Sequence, residues 1–233
     1  MPKVSLLDWG IIDYRQAWEQ QTALYEQTIQ QKLANRTLPI DEQVETRNYL
    51  IICQHPPTYT MGVSGRMEHL LVDETTLAIK GAKFYKVNRG GDITFHGYGQ
   101  CVGYPILDLH HFFTDISRLM RTYEEVIIRT LSDFGIIGNR LPEATGVWID
   151  PDLPNRARKI CAMGIRSSRW VTLHGWALNI NTDVAYFDHI VPCGITNKSV
   201  TSMHLELGQQ LDEPAVKERI IHHFADLFEV VWT

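Results

Sequence analysis

Cysteine is scarce in this chain, and the few thiols stand apart. Cys53, Cys101, Cys161 and Cys193 are the four in 233 residues, with no C-x-x-C pair. That argues against a disulfide framework and against structural zinc. Long apolar runs are also missing: nothing approaches the roughly 20 residues that a membrane helix needs. Met1 to Gly10 lacks the charged start and apolar stretch of a secretory signal. Positive charge is not in excess either. The formal net charge is -5, so the overall field does not favour nucleic acid. The ten histidines are dispersed, and the adjacent pairs His110–His111 and His222–His223 make poor metal pairs because neighbouring side chains point apart. What remains is an ordinary soluble composition, 44% hydrophobic and 21% charged. A cytoplasmic protein with free thiols, folded as one domain over residues 1–233, is expected.

Periodicity places three long helices. Asp13 to Asn35 carries Tyr14, Ala17, Trp18, Tyr25, Ile29 and Leu33 near one face. Asp115 to Phe134 has an apolar stripe from Ile116 to Phe134, with Gly135 suited to its C-terminal end. Glu213 to Phe228 places Val216, Ile220, Phe224 and Leu227 on one side. Strands are expected at Asn48–Cys53, Lys83–Asn88, Cys101–Leu109, Gly146–Ile149, Lys159–Arg166, Trp170–Asn179 and Glu229–Trp232. Pro56 and Pro57 predict an extended loop after the first of these. Helices and strands do not alternate regularly, so the fold class is α+β with a mixed, largely antiparallel sheet.

The densest motif is Arg89 to Gln100, RGGDITFHGYGQ, with four glycines among twelve residues. The run DITFH alternates like a strand, and the glycines on either side permit sharp turns and close approach to a ligand. A glycine-cornered hairpin is the plain structural reading. Cys193 lies between Pro192 and Gly194, hence in a turn. Such a thiol is either presented to a cleft or is a small buried filler. Lys159 starts an apolar strand, where its ammonium can reach over a cavity rim and lower a thiol's pKa, or simply face solvent. His96 and His174 are candidate bases or hydrogen-bond donors. From Arg156 to Arg169 five basic residues (Arg156, Arg158, Lys159, Arg166, Arg169) occur without an acidic one. This island is a solvated face or a dock for an acidic partner.

Four ordered segments, HPPTYTMG, RGGDITFHGYGQ, KICAMGIR with TLHGWALNI, and PCGI with SVTSM, together resemble the lipoyl(octanoyl) transferases from about Asn48 to Met203. The resemblance implies the mixed, helix-flanked sheet of the biotin and lipoate protein ligases. It implies transfer of an octanoyl or lipoyl group from acyl carrier protein to a lysine of lipoyl domains, the first step of endogenous protein lipoylation. The catalytic pair it implies is Cys193 and Lys159, acting through a thioester acyl-enzyme. Its substrate-binding positions correspond to Arg89, Gly90, Gly91, Asp92, Ile93, Thr94, Phe95 and His96, to Ala162, Met163 and Gly164, and to Gly175, Trp176 and Ala177. Ile160, Met163 and Trp176 are expected walls for the acyl chain. The acceptors implied are the E2 subunits of 2-oxoacid dehydrogenases and the glycine cleavage H protein. No cofactor, metal, nucleic acid or membrane is implied, and a monomer is expected.

Three positions depart from the family pattern. Tyr98 stands where proline is usual, Trp176 where leucine is usual, and LPEATGV (Leu141 to Val147) lacks the usual arginine. An ATP-dependent lipoate or biotin ligase on the same fold is the competing enzyme class. It needs no cysteine nucleophile, so Cys193 with Lys159 favours transfer. A lipoyl-domain binding protein without turnover is the non-enzymatic alternative.

Overall fold

The computed structural model describes residues 1–142, 144–153, 155–191 and 199–233. Glu143, Pro154 and Pro192 to Lys198, Cys193 among them, lie outside the described residues. The strands in chain order are β1 (Lys3–Ile11), β2 (Asn48–Gln54), β3 (Thr58–Met61), β4 (Lys83–Lys86), β5 (Ile93–His96), β6 (Gln100–Ile106), β7 (Asn139–Leu141), β8 (Ala144–Ile149), β9 (Arg158–Ser168), β10 (Val171–Asn179), β11 (Ser199–Val200) and β12 (Val231–Trp232). The helices are α1 (Tyr14–Asn35), α2 (Glu74–Ile79), α3 (Ile116–Asp133), α4 (Met203–Leu207) and α5 (Glu213–Phe228). Among the described residues no helix is long and apolar enough to cross a membrane.

Alternation along the central strands explains the layering. Leu50 and Ile52 of β2 enter one core with α3 and α5, while Tyr49, Ile51 and Cys53 enter another with α1. Strand β6 divides likewise, sending Cys101 to the first core and Val102, Tyr104 and Ile106 to the second. A sheet covered on both faces reads as a continuous apolar run, which is why NYLIIC shows no period of two. The main sheet runs β12-β1-β2-β6-β10-β9-β8-β7, with β11 beside β9. Strand β1 is parallel to β2 and β12, whereas the β2-β6-β10-β9-β8-β7 neighbours are antiparallel, so the sheet is mixed.

Two of the sequence expectations are corrected by the structure. The segment after Pro57 is strand β3, not a loop, and it forms a separate small sheet in the order β4-β3-β5. The RGGDITFHGYGQ motif is therefore not a hairpin: β5 pairs with β3, and β6 belongs to the main sheet.

Capping fixes the helix ends. Asp13 accepts from Arg15 N at the start of α1, and Asp115 from Arg118 N at the start of α3. Within α3, Glu124 is 1% exposed as a side chain. One oxygen accepts from Arg121 at 2.7 Å and Arg140 at 3.2 Å, and the other from the Gly146 amide at 3.0 Å. This carboxylate ties α3 to β7 and β8. Glu124→Ala leaves the Gly146 N–H buried without its acceptor and should cost about 3 kcal/mol. The corresponding fall in Tm is roughly 6–12 °C; a thermal melt shifted by less than about 2 °C would contradict this role for Glu124.

Candidate active site

A cavity of about 420 Å³ opens where the small sheet meets β9 and β10. The 89–96 segment reaches it because the Gly90 amide donates to the Ile165 carbonyl of β9 at 2.9 Å. Arg89 to Thr94, His96, Lys159, Ala162 to Gly164 and Gly175 to Ala177 line it. Phe95 does not. Alternation along β5 turns it into the small-sheet core, where it stacks on Tyr186 at 4.5 Å. Ile160, expected as a wall, is fully buried in the α3/α5 core. Tyr14 of α1, Met120 of α3, Gln100, Tyr104 and Asn179 also line the cavity; the sequence reading assigned them no site role.

Trp176 lines the cavity and is nevertheless 2% exposed. Its indole lies over Gly103 of β6, where a Cβ would fall 2.2 Å from the ring. Tyr123 at 5.3 Å and Phe224 at 6.2 Å between ring centroids hold it from the helical side. Much of the added bulk is thus absorbed by a glycine opposite and by the helical core. Tyr98 stands away from the cavity. It is 54% exposed and borders a separate hollow with Pro57, Lys80 and Tyr186.

A one-way chain of hydrogen bonds runs beneath the cavity. Arg89 Nη2 donates to Thr60 O at 2.6 Å and to Thr60 Oγ1 at 3.0 Å. Gln100 Nε2 donates to Phe95 O and to Asn179 Oδ1, so Gln100 Oε1 is the acceptor toward His96 Nδ1 at 2.9 Å. His96 therefore carries its proton on Nδ1, and its Nε2 accepts from Thr60 Oγ1 at 3.4 Å. Asn179 Nδ2 donates onward to Thr201 O at 2.9 Å. Burial holds the His96 pKa well below its ordinary value, with His55 and Arg89 adding to the effect. With both ring nitrogens engaged, His96 is a structural relay rather than a base.

His174 is likewise neutral. Burial first, then Arg89 and Arg166, bring its pKa to about 3. Its Nε2 meets Asn88 Oδ1 at 3.0 Å, and its backbone sits at φ 65° within β10. His55 donates from Nδ1 to Ile12 O and accepts at Nε2 from Tyr104, with its pKa lowered by burial to about 4. Asp92 is held by His69 Nδ1 at 2.5 Å and by the Ile93 amide at 2.7 Å.

The Lys159 side chain reaches the cavity wall through an irregular stretch of β9. Val147 pairs with Cys161 but Trp148 pairs with Lys159, so Ile160 is an extra residue in a β-bulge. Lys159 and Ala162 both line the cavity, while Ile160 and Cys161 between them are both core. After the undescribed residues the chain rejoins the sheet at β11, with Val200 the register partner of Lys159. The first two arginines of the basic island are paired internally. Arg158 binds Glu206 at 2.6 Å and Asp150 at 2.8 Å, and Arg156 binds Asp150 at 3.0 Å. Only Arg166 and Arg169 of that group are exposed with no ion pair found among the described residues.

The described thiols are unsuited to attack. Cys53, Cys101 and Cys161 are buried, and burial raises all three, Cys101 to about 12.

Comparison with known proteins gives a consistent picture. The family described as the lipoyl protein ligase A/B catalytic domain matches residues 13–225. An octanoyltransferase of Cytophaga hutchinsonii is 55% identical over 223 residues, covering 96% of this chain and 91% of its own. One from Flavobacterium johnsoniae is 52% identical over 228 residues, covering 97% of each. Among solved structures, a bi-partite lipoate protein ligase of Thermoplasma acidophilum aligns with TM-score 0.71 at 17% identity, over 100% of this chain and 86% of its own.

The neutral histidines predict acid sensitivity. Their folded pKa values lie below the unfolded value of about 6.5, so below that pH the unfolded chain binds protons that the native one refuses. Stability is complete above pH 6.5 and is lost as pH falls toward the folded values, about 4 for His55 and about 3 for His174. Each contributes a slope of about 1.4 kcal/mol per pH unit in that window. Urea unfolding between pH 6.5 and 4.5 should follow this slope, and His174→Asn, which tolerates the left-handed backbone, should flatten it. An unchanged slope in that variant would contradict the assignment.

Proposed function

The chain belongs to the lipoyl protein ligase A/B catalytic domain family, and from that premise we propose that it moves an octanoyl group from acyl carrier protein to a lysine of lipoyl domains by way of a thioester on Cys193. The observation that carries this reading is the position of Lys159 on the wall of a largely apolar cavity, beside the strand that follows the Cys193 segment. A cavity of about 420 Å³ falls in the range of small-ligand sites and suits an eight-carbon tail, with Met163 and Trp176 among its walls.

The chemistry balances without ATP. The Cys193 thiolate adds to the donor thioester carbonyl, the bond to the carrier thiol breaks, and the departing thiolate takes its proton from the Lys159 ammonium, leaving an amine able to accept the proton that the acceptor lysine later loses. One thioester replaces another, so the step is close to neutral in energy. The neutral amine of the acceptor lysine then attacks the acyl-enzyme, the C–S bond breaks, and an amide forms, which makes the second step favourable. Lys159 stabilises the Cys193 thiolate by its charge and relays the proton that the acceptor amine loses. Arg89 and the 89–96 segment orient the acyl thioester, and backbone amides at the glycine turns supply the oxyanion donors. The acceptors are the lipoyl domains of 2-oxoacid dehydrogenase E2 subunits and the glycine cleavage H protein. No cofactor takes part. The ligase reading has no observation in its favour beyond the shared fold.

Intact-protein mass after incubation with octanoyl-acyl carrier protein tests the nucleophile. One octanoyl addition should appear in the wild type and in Cys161→Ser, and none in Cys193→Ser. Persistence in Cys193→Ser, or transfer only with ATP and free octanoate, would overturn the proposal. Lys159→Ala should slow acylation and move the alkylation profile of Cys193 to higher pH; an unchanged profile would remove Lys159 from the mechanism.

A further inference from the structure

We propose that Trp148 is a positioning residue for Lys159, holding its ammonium at the cavity wall on the face of the indole ring; this rests on the catalytic reading of Lys159 given above. The Lys159 Nζ lies 4.6 Å from the centroid of the Trp148 ring. At that distance the ring's negative face attracts the ammonium, and the attraction strengthens as water is excluded. Trp148 is 2% exposed and is not among the described residues that line the cavity; the contact argued here acts through Lys159.

The fold makes this contact in three ways. The β-bulge at Ile160 brings Lys159, rather than its neighbour, into register with Trp148 across the β8–β9 pair. In an unbulged register continued from the Val147–Cys161 pair, Trp148 would face Ile160 and Lys159 would face Ile149. The indole is locked by its own hydrogen bond, Nε1 to the Ala144 carbonyl at 3.0 Å. Gly146 clears the approach, since a Cβ there would lie 2.5 Å from Cys161 O, and its amide is fixed to buried Glu124. The shelf under Lys159 is thus rigid at each point before the substrate arrives.

A ring face attracts the charged ammonium and has no comparable pull on the free amine. Trp148 therefore holds Lys159 in place while it is charged, the stage at which the acyl-enzyme forms in the proposed mechanism. Loss of the face frees a long side chain to sample other rotamers and weakens its hold on the thiolate.

The test is a double-mutant cycle read by the rate of Cys193 acylation from octanoyl-acyl carrier protein. Trp148→Met should slow acylation about tenfold and shift the alkylation profile of Cys193 to higher pH, in the same direction as Lys159→Ala but less far. Trp148→Phe, which keeps a ring face, should recover most of the rate. In a Lys159→Ala background, Trp148→Met should add nothing further. An equal loss in both backgrounds would reduce Trp148 to a packing residue and overturn the proposal, with the role of Lys159 intact. Normal acylation by Lys159→Ala would instead overturn the underlying reading, and the proposal with it. Should Trp148→Met fail to fold, Trp148→Leu paired with Trp148→Tyr makes the same comparison.

Discussion

The site depends on one buried chain of donors and acceptors running from Arg89 to Thr201. Arg89 and Thr60 belong to the side of the small sheet, His96 ends β5, Gln100 begins β6 and Asn179 ends β10. The last link, Asn179 to the Thr201 carbonyl, fastens the chain just beyond β11. The Thr201 amide in turn donates to the Lys159 carbonyl at 2.9 Å. One network therefore joins the wall that would hold the acyl group, both sheets, and the strand that carries Lys159. Every link has a single workable direction, because Gln100 spends both amide hydrogens on carbonyl oxygens. Such a network is rigid when complete and costly when broken, since each orphaned group is far from water.

Neutrality is the second condition. Three histidines around the cavity are buried and uncharged. The ionic groups at its wall are few: Arg89, Asp92 and Lys159. An apolar chain can be held there without competing with solvated charge. The same burial that quiets Cys53, Cys101 and Cys161 explains why three of the four thiols are poor nucleophiles.

Much of this was legible in the chain. Helices α1, α3 and α5 followed from apolar spacing, and β2, β6, β8, β9 and β10 from their runs, each within a few residues. Strand β3 was hidden by Pro56–Pro57, which read as a loop, and its four residues form a strand only through pairing with β4 and β5. Helix α2 is too short at six residues for a period to register. The motif from Arg89 to Gln100 borders the cavity, and the plain hairpin alternative fails because alternation along DITFH does not say which strand it pairs with. Phe95 and Ile160 were placed in the wall when one faces the small-sheet core and the other occupies a bulge. Gln100 and Asn179 both lie in the motifs, but their contact gave no signal: they are 79 residues apart, and single amides carry no spacing. The basic island looked free because the sequence lists its charges without Asp150 and Glu206, which the fold brings to them.

The central claim is that the acylated enzyme is an intermediate on the path and not a side product. Its most direct test is a single-turnover experiment in which octanoylated enzyme is isolated from its donor and mixed with a lipoyl domain in the absence of ATP. The account predicts that the octanoyl group appears on the acceptor lysine at a rate no slower than steady-state turnover. An acyl-enzyme that discharges more slowly than turnover, or only when ATP is added, would contradict it.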